Sequence, residues 1–254
     1  MPYDVLFQPV SLFILVFFRV AGMMMVAPLF GSGRVPQRVR LLFALVVALG
    51  MMPAVPASTA LPDSPWVLAG GIASELVFGL AIGTALSFIF IALSWAGEII
   101  GQQMGLGIGA VFDPQSGMSG SAVGDLYFML TLAIFMIIGG HRVFLRAVFS
   151  TFETVPLLSA GITPGVFAMV VGLLSASTSL AIQLAAPILV TMLVVDVVLG
   201  FLSKTVPQIN ILSAGLSLRA VVGLAVLLLG LAATSELVRN SLVDALEQLS
   251  AAWT

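Results

Sequence analysis

The chain has 254 residues, 60% of them hydrophobic and 8% charged, and a mean hydropathy of +1.21. Soluble domains are roughly 45–50% apolar and about 25% charged, so this composition indicates an integral membrane protein. The net charge of −2 excludes a basic nucleic-acid-binding surface, and the absence of cysteine excludes thiolate chemistry. With the single histidine, His141, no metal site or cofactor is predicted.

Six apolar stretches follow one another along the chain. Backbone groups find no water in the hydrocarbon core, so we expect an all-α fold with about six long apolar helices or helical hairpins in one membrane-embedded domain, residues 1–254. The first stretch contains Arg19 and is too long for a secretory signal, so we expect it to be retained. The stretches are residues 10–30, 41–57, 66–97, 123–140, 167–202 and 216–234.

Proline affects two of these stretches. The second is short and ends in Pro53 and Pro56, which predicts an irregular far end. The fifth is longer than an ordinary span and has Pro187 near its middle. Because proline removes a backbone donor, we expect a kinked helix or a tight hairpin there.

Glycine recurs at every fourth position after the third stretch, at Gly97, Gly101, Gly105 and Gly109. On a helix these residues share one face, and another backbone can approach that face closely. We expect such packing at Gly97 and Gly101. Each interior glycine also costs about 0.5–1 kcal/mol relative to alanine, so a second interpretation is a helix that can unwind.

A segment rich in glycine, serine and proline follows, residues 110–121, with Asp113-Pro114 as a turn former. It is either a surface connection or a functional loop on a helical scaffold. Its Gly117-Met118-Ser119-Gly120 fits the pattern of rhomboid-type intramembrane serine proteases, with His141 as the candidate base. One helix between Ser119 and His141 would hold them roughly 30 Å apart, which argues against catalysis.

Charged residues inside or beside the apolar stretches need partners, because an isolated charge in a membrane is costly. We interpret these residues as ion pairs between helices or subunits. A proton or ion path, as in a secondary transporter, is the alternative. The residues are Arg19, Glu75, Glu98, Asp196 and Arg219.

Several motifs in the chain together resemble one family, FliR, the flagellar export-gate subunits whose counterparts in virulence type III secretion are called SctT. The resemblance covers nearly the whole chain. The motifs, in order, are Ala27-Pro28-Leu29-Phe30-Gly31, Val35-Pro36-x-Arg38-x-Arg40, Gly97-Glu98-Ile99-x-Gly101-x-Gln103-Met104-Gly105, Asp113-Pro114-Gln115-Ser116-Gly117, Gly140-His141-Arg142 and Pro207-Gln208-Ile209-Asn210.

The resemblance implies a non-enzymatic subunit of the bacterial inner membrane, in the flagellar basal body. It would join several FliP-like and FliQ-like subunits around an export conduit for unfolded proteins, with an FlhB-like subunit at the entrance and membrane lipid around it. The family's plug loop would correspond here to about residues 104–121, with Phe112 as a candidate obstructing side chain. The plug residues would be Met104, Gly105, Gly107, Gly109, Phe112, Asp113, Pro114, Gln115 and Gly117.

A small-molecule or ion secondary transporter is the alternative from another functional class. Such transporters are commonly built from two related halves with broken helices that meet at the membrane midplane. The two halves of this sequence show no such repeat.

Overall fold

The protein is described by a computed structural model that covers residues 2–28, 35–55, 64–106, 121–161, 164–205 and 211–251. Seven α-helices account for most of these residues, and a short 3-10 turn, Met52–Ala54, follows the second helix. The helices are α1 (Pro2–Val26), α2 (Gln37–Met51), α3 (Pro65–Gln103), α4 (Ala122–Ile137), α5 (Gly140–Thr154), α6 (Pro164–Thr205) and α7 (Ile211–Ala251).

Four of the helices in the described ranges are long and apolar enough to cross a membrane, namely α1, α3, α6 and α7. The pair α4 and α5 passes the same test only when the two helices are taken together as a broken span or a re-entrant loop. The break lies at Gly139, whose φ of 73° places it in the left-handed region that favours glycine. The all-α membrane fold predicted from the sequence is therefore confirmed.

The number of candidate spans is lower than the expected number of about six, because the described residues include four such helices, or five with the broken pair. The second apolar stretch forms α2, whose 15 residues would extend only about 22 Å, less than the roughly 30 Å hydrocarbon core. Pro53 lies in the 3-10 turn directly after α2, so this helix ends irregularly, as predicted.

Pro187 does not break the fifth stretch. Helix α6 is continuous over 42 residues from Pro164 to Thr205, so the expected alternative of a tight hairpin is wrong. Proline lacks only its own N–H, and neighbouring turns can hold the helix together if nearby helices pack against it.

The chain divides into two compact units that interleave along the sequence. Unit 1 comprises Met1–Phe88, Gly139–Leu174 and Val243–Thr254, and unit 2 comprises Ile89–Ile138 and Ser175–Leu242. Helices α3, α6 and α7 therefore each contribute residues to both units.

Unit 1 is held together by close contact between α1 and α3. A Cβ on Gly22 would lie 2.5 Å from the Leu76 carbonyl oxygen, and one on Gly83 would lie 2.5 Å from that of Met23. A Cβ on Gly79 would overlap the Arg19 carbonyl oxygen. The two backbones approach this closely only because the residues between them are glycines.

Unit 2 contains an antiparallel helical hairpin made by the parts of α6 and α7 that belong to it. Gly215 lies against Leu199, Arg219 pairs with Asp196, and Gly223 lies against Met192. Steps of four residues along α7 are thus matched by steps of three and four residues backwards along α6. The side chains of α3 and α4 pack on this hairpin around Tyr127, Ile188 and Leu227.

Candidate functional site

The glycine-rich end of α3 is a regular helix with a defined stop. The Gly105 N–H donates to the Gln102 carbonyl over 3.0 Å, and the Leu106 N–H donates to the Gly101 carbonyl over 3.0 Å. Gly105 has a φ of 77°. This is a Schellman motif, in which a left-handed glycine directly after the helix lets two amides cap its last carbonyls.

Gly97 and Gly101 lie against the beginning of α4. A Cβ on Gly97 would lie 2.7 Å from both the Gly124 Cα and the Val123 carbonyl oxygen. A Cβ on Gly101 would overlap the Ser121 hydroxyl, which donates to the Gly97 carbonyl over 3.4 Å. The structure thus places both glycines at a backbone-to-backbone contact within unit 2.

Met104 is the last side chain of this segment to enter the core, and it is only 1% exposed. It packs with Ile100 in the same cluster as Tyr127, Ile188 and Met192. Gly105 is partly exposed, and Leu106 is exposed. The chain therefore leaves the core of unit 2 between Met104 and Leu106.

Most residues of the predicted plug loop lie outside the described residues. The structure describes residues 104–106 and then continues at residue 121. The residues of the predicted plug and protease motifs in this interval are Gly107, Gly109, Phe112, Asp113-Pro114-Gln115-Ser116-Gly117 and Ser119. The Pro207-Gln208-Ile209-Asn210 motif lies outside the described residues as well. Their predicted roles, and the predicted separation of Ser119 from His141, stay predictions.

A buried ion pair joins α1 to α3 in unit 1. The Arg19 Nε donates to Glu75 Oε2 over 2.5 Å, and both side chains are fully buried. The Arg19 guanidinium also lies between two aromatic rings, 5.0 Å from the centroid of Phe78 and 4.7 Å from that of Phe152. Ring faces attract a cation, so this environment offsets part of the cost of burying it.

The same pair holds the last turn of α5 and the backbone that follows it. The Arg19 Nη1 donates to the carbonyl oxygens of Thr151 and Val155, each over 3.0 Å. The Leu158 N–H donates to Glu75 Oε1 over 2.9 Å. Leu158 has a φ of 70°, a left-handed conformation that costs a non-glycine residue about 1–2 kcal/mol.

The sequence does not predict these backbone partners. Every residue has a carbonyl group and nearly every residue has an amide N–H, so residue identity does not show which of them bind Arg19 or Glu75. The close approach of α1 to α3 was also missed, although a signal for it existed. Gly79 and Gly83 have the same four-residue spacing as Gly97 and Gly101, so this glycine spacing occurs twice along α3.

The second ion pair joins α6 to α7 in unit 2. The Arg219 Nη2 lies 2.6 Å from Asp196 Oδ1, and the two side chains are 35% and 40% exposed. It sits among outward-facing apolar residues such as Leu193 and Val197. Glu98, the remaining predicted charge, lies partly exposed on α3.

Within the described ranges, no group of three or more His, Asp or Glu side chains is arranged so that it could hold a metal ion. His141, at the start of α5, has a buried Nδ1 that finds no hydrogen-bond partner among those residues.

Comparison with known proteins places these features in one family. The family described as Bacterial export proteins, family 1 matches residues 10–245. The flagellar biosynthetic protein FliR of Caulobacter vibrioides is 33% identical and covers 85% of this chain and 87% of its own. FliR of Escherichia coli is 29% identical, with 82% and 80% covered.

A relative from a virulence system is similar over the same length. The surface presentation of antigens protein SpaR of Shigella flexneri is 24% identical, with 86% of each chain covered. The family match runs from the first membrane-spanning helix almost to the end of α7 and includes both ion pairs and the capped end of α3. The chain therefore belongs to the FliR family of bacterial export proteins.

Proposed function

We propose that this chain is a core subunit of a flagellar or type III protein export gate in the bacterial inner membrane. It forms part of the conduit wall and carries the plug that closes the conduit until an unfolded substrate passes. It works without catalysis and without a cofactor. Flagellar FliR proteins are 33% and 29% identical to this chain and the virulence protein SpaR is 24% identical, which favours the flagellar machine and a place in the basal body.

The capped end of α3 is the observation that supports a plug at residues 104–121. The helix is rigid up to Gln103, because Gly97 and Gly101 pack on α4 and Met104 is buried. Gly105 then stops the helix, and the sequence that follows is rich in glycine, serine and proline. A plug needs this combination, because a well-packed helix end must carry a segment that can be displaced at a modest cost in free energy.

The exposed surface of unit 2 supports assembly with other subunits. Only 33% of the 18-residue apolar segment of α6 and 11% of that of α7 are buried within this chain. Lipid could cover the apolar side chains, but the partly exposed Asp196–Arg219 ion pair on these two helices is stable only beside protein or water. We infer that FliP-like and FliQ-like subunits, in multiple copies, cover part of this surface, that an FlhB-like subunit lies at the entrance, and that lipid covers the rest.

Shortening the loop between Ile108 and Gly117 tests the plug directly. The shortened gate is expected to conduct ions or small solutes in its resting state, while its subunits still assemble, because the helix end that packs on α4 is unchanged. Resting conductance and the amount of purified complex are measured side by side.

A matched control replaces the same residues with a glycine-serine segment of equal length. This control keeps the length of the loop and removes the side chains of Phe112 and Pro114. It therefore shows whether the loop's length or its larger side chains close the conduit. If the shortened variant leaves both conductance and export unchanged, the plug assignment is wrong.

Co-purification separates this function from the transporter alternative. A gate subunit is expected to bring FliP-like and FliQ-like proteins with it in unequal numbers, whereas a transporter is stable alone or as a small symmetric oligomer. Both described ion pairs join two helices within one unit, which favours a structural role for these four charges over an ion path.

A further inference from the structure

A groove lies on the surface of unit 2 between α4, α6 and α7, and its volume is about 190 Å³. Leu184, Ile188 and Leu227 are buried and form its floor. Pro187, at its edge, is exposed. Along α7 the lining extends from Val226 to Leu237, which is roughly 16 Å at about 1.5 Å per residue. The groove is therefore long and narrow, and it is open towards the outside of the unit.

Gly230 keeps the middle of this groove open. It lies between Leu227 and Thr234 in the α7 part of the lining, and a Cβ added to it would meet nothing within 4 Å. Gly97 and Gly223 in the same unit differ, because a Cβ at either position would run into neighbouring atoms. The space at Gly230 is therefore not used for packing within the described part of this unit.

The polar side chains that line the groove have partners within the chain. Tyr127 and Thr234 hydrogen-bond to each other, and the Gln183 Nε2 donates to the Ser179 Oγ over 3.2 Å. All other lining residues are apolar. An apolar cavity of about 150 Å³ stays dry and takes up an apolar molecule the size of benzene. The lining therefore suits an apolar ligand that makes no hydrogen bond there.

One end of the groove lies where the hairpin of α6 and α7 changes from polar to apolar. On α6, four of the five residues 175–179 are Ser or Thr, and residues 184–190 carry no polar side chain. On α7, residues 220–233 carry no polar side chain, and polar residues follow from Thr234 onwards. Gln183 and Thr234 line the same groove, so the two transitions lie at the same level. An acyl chain takes the course of this groove, since it runs from the level of the polar headgroups into the hydrocarbon core.

The dimensions of the groove favour one unbranched chain over part of a partner protein. A helix with its side chains is about 10–12 Å across, which is too wide for a space of about 190 Å³ that follows roughly three turns of α7. Side chains from such a helix would fill the groove only at separate points. An unbranched acyl chain contacts the lining along its whole length, and each contact adds dispersion attraction.

We infer that this groove binds an acyl chain of a membrane phospholipid. The headgroup lies at the level of Gln183 and Thr234, and the chain passes Gly230 and reaches Ile188. A bound chain completes the packing between α4 and the hairpin of α6 and α7, because Tyr127 on α4 also lines the groove. The inference needs only the membrane location of the chain, so it holds or fails independently of the proposed gate function.

Gly230→Leu tests the site by filling the groove. The leucine side chain enters a space in which an added Cβ meets nothing within 4 Å, so it displaces the acyl chain without a clash inside the protein. Gly200→Leu on α6 is the matched control, because its Cβ also meets nothing within 4 Å and the residue lies outside the groove lining. The full chain is extracted in a mild detergent with its co-purifying subunits, and mass spectrometry of the intact protein counts the phospholipids that it retains. The unchanged protein and Gly200→Leu are each expected to retain one phospholipid more per chain than Gly230→Leu.

Photolabelling locates the lipid in the unchanged protein, so this test does not depend on how well a variant folds. A phospholipid with a diazirine in its acyl chain is added to vesicles of phosphatidylethanolamine and phosphatidylglycerol that contain the protein with its co-purifying subunits. Adducts are expected in the peptides that contain residues 183–188 and 226–237. They are expected to be lost in Gly230→Leu and kept in Gly200→Leu.

Three results would overturn the inference. The first is equal phospholipid retention by the two variants, and the second is the absence of groove adducts in the unchanged protein. The third is a set of groove adducts that appears only after the co-purifying subunits have been removed, because a partner protein would then be what covers the groove.

Discussion

Single glycines in this chain differ in what surrounds them. Gly97 faces the backbone of α4, whereas an added Cβ at Gly200 on α6 would meet nothing within 4 Å. Glycine destabilises the helix by a similar free energy at both positions. Only at Gly97 does a close backbone contact, which a larger residue would prevent, offset that loss.

Gly97→Ala is therefore expected to lower the free energy of unfolding by about 1–3 kcal/mol, the usual cost of overpacking against a backbone that cannot move aside. Gly200→Ala is the matched control and is expected to raise it by about 0.5–1 kcal/mol through helix propensity. Denaturant unfolding in detergent micelles measures both. Equal stability of the two variants would contradict the close approach of α3 to α4.

The Arg19–Glu75 pair shows how a buried charge becomes tolerable. Both side chains are fully buried, and the backbone of residues 151–158 supplies two acceptors for Arg19 and one donor for Glu75. A buried ion pair without such partners would lose more to desolvation than it gains from attraction.

Arg19→Ala is expected to cost about 3–5 kcal/mol, because it leaves the Glu75 carboxylate buried and unpaired. The double variant Arg19→Met with Glu75→Leu is expected to lose less than the single variant, since no buried charge remains. Unfolding free energies of the single variants Arg19→Met and Glu75→Leu, of the double variant and of the unchanged protein complete a double-mutant cycle, and Arg19→Ala is measured beside them. If the double variant is the less stable of the two, the charge is not what makes the site vulnerable.

Among the elements, the end of α3 depends on one backbone conformation. Gly105 has a φ of 77°, and two amide hydrogen bonds of the Schellman motif depend on it. A residue with a Cβ reaches this conformation at a cost, which asparagine tolerates better than most others.

Gly105→Ala is expected to destabilise the protein by about 1 kcal/mol and to increase amide hydrogen exchange at residues 105 and 106. Gly105→Asn is the control and is expected to have a smaller effect. Hydrogen exchange followed by mass spectrometry of the 97–106 region reports both variants. Unchanged exchange in Gly105→Ala would show that the cap does not limit fraying of the helix.

For the whole molecule, the exposed ion pair on α6 and α7 is the feature that most needs partners. Asp196 and Arg219 are 40% and 35% exposed within helices of high hydropathy. A pair facing acyl chains would be costly, so its presence supports a neighbouring protein or water-filled surface at that level.

Asp196→Asn and Arg219→Gln are each expected to reduce the amount of FliP-like and FliQ-like protein that co-purifies, because each leaves one charge unpaired at an interface. Glu236→Gln, an exposed acid further along α7, is the control. The charge swap Asp196→Arg with Arg219→Asp is expected to recover part of the loss. Normal co-purification in both single variants would place the pair away from any subunit.

Hydropathy alone determined much of the architecture. The membrane class and the all-helical fold follow from it, because backbone groups without water must bond within their own helix. The number of spans could not be obtained in this way. By hydropathy, the segment of α2 counts as an apolar stretch like the others, whereas α5 is not detected. Hydropathy reflects composition and cannot show where a helix ends or bends.

The contacts of the candidate site depended on the tertiary structure. The sequence showed the glycine spacing and the five intramembrane charges. Glycine on a helix face indicates close packing, and a charged residue in an apolar stretch indicates a group that needs a partner. It could not show that Arg19 binds Glu75, that Gly223 packs against the Met104 side chain or that Gly105 caps α3. Each of these depends on which helices pack side by side and in which register, and residues far apart in the chain set that packing together.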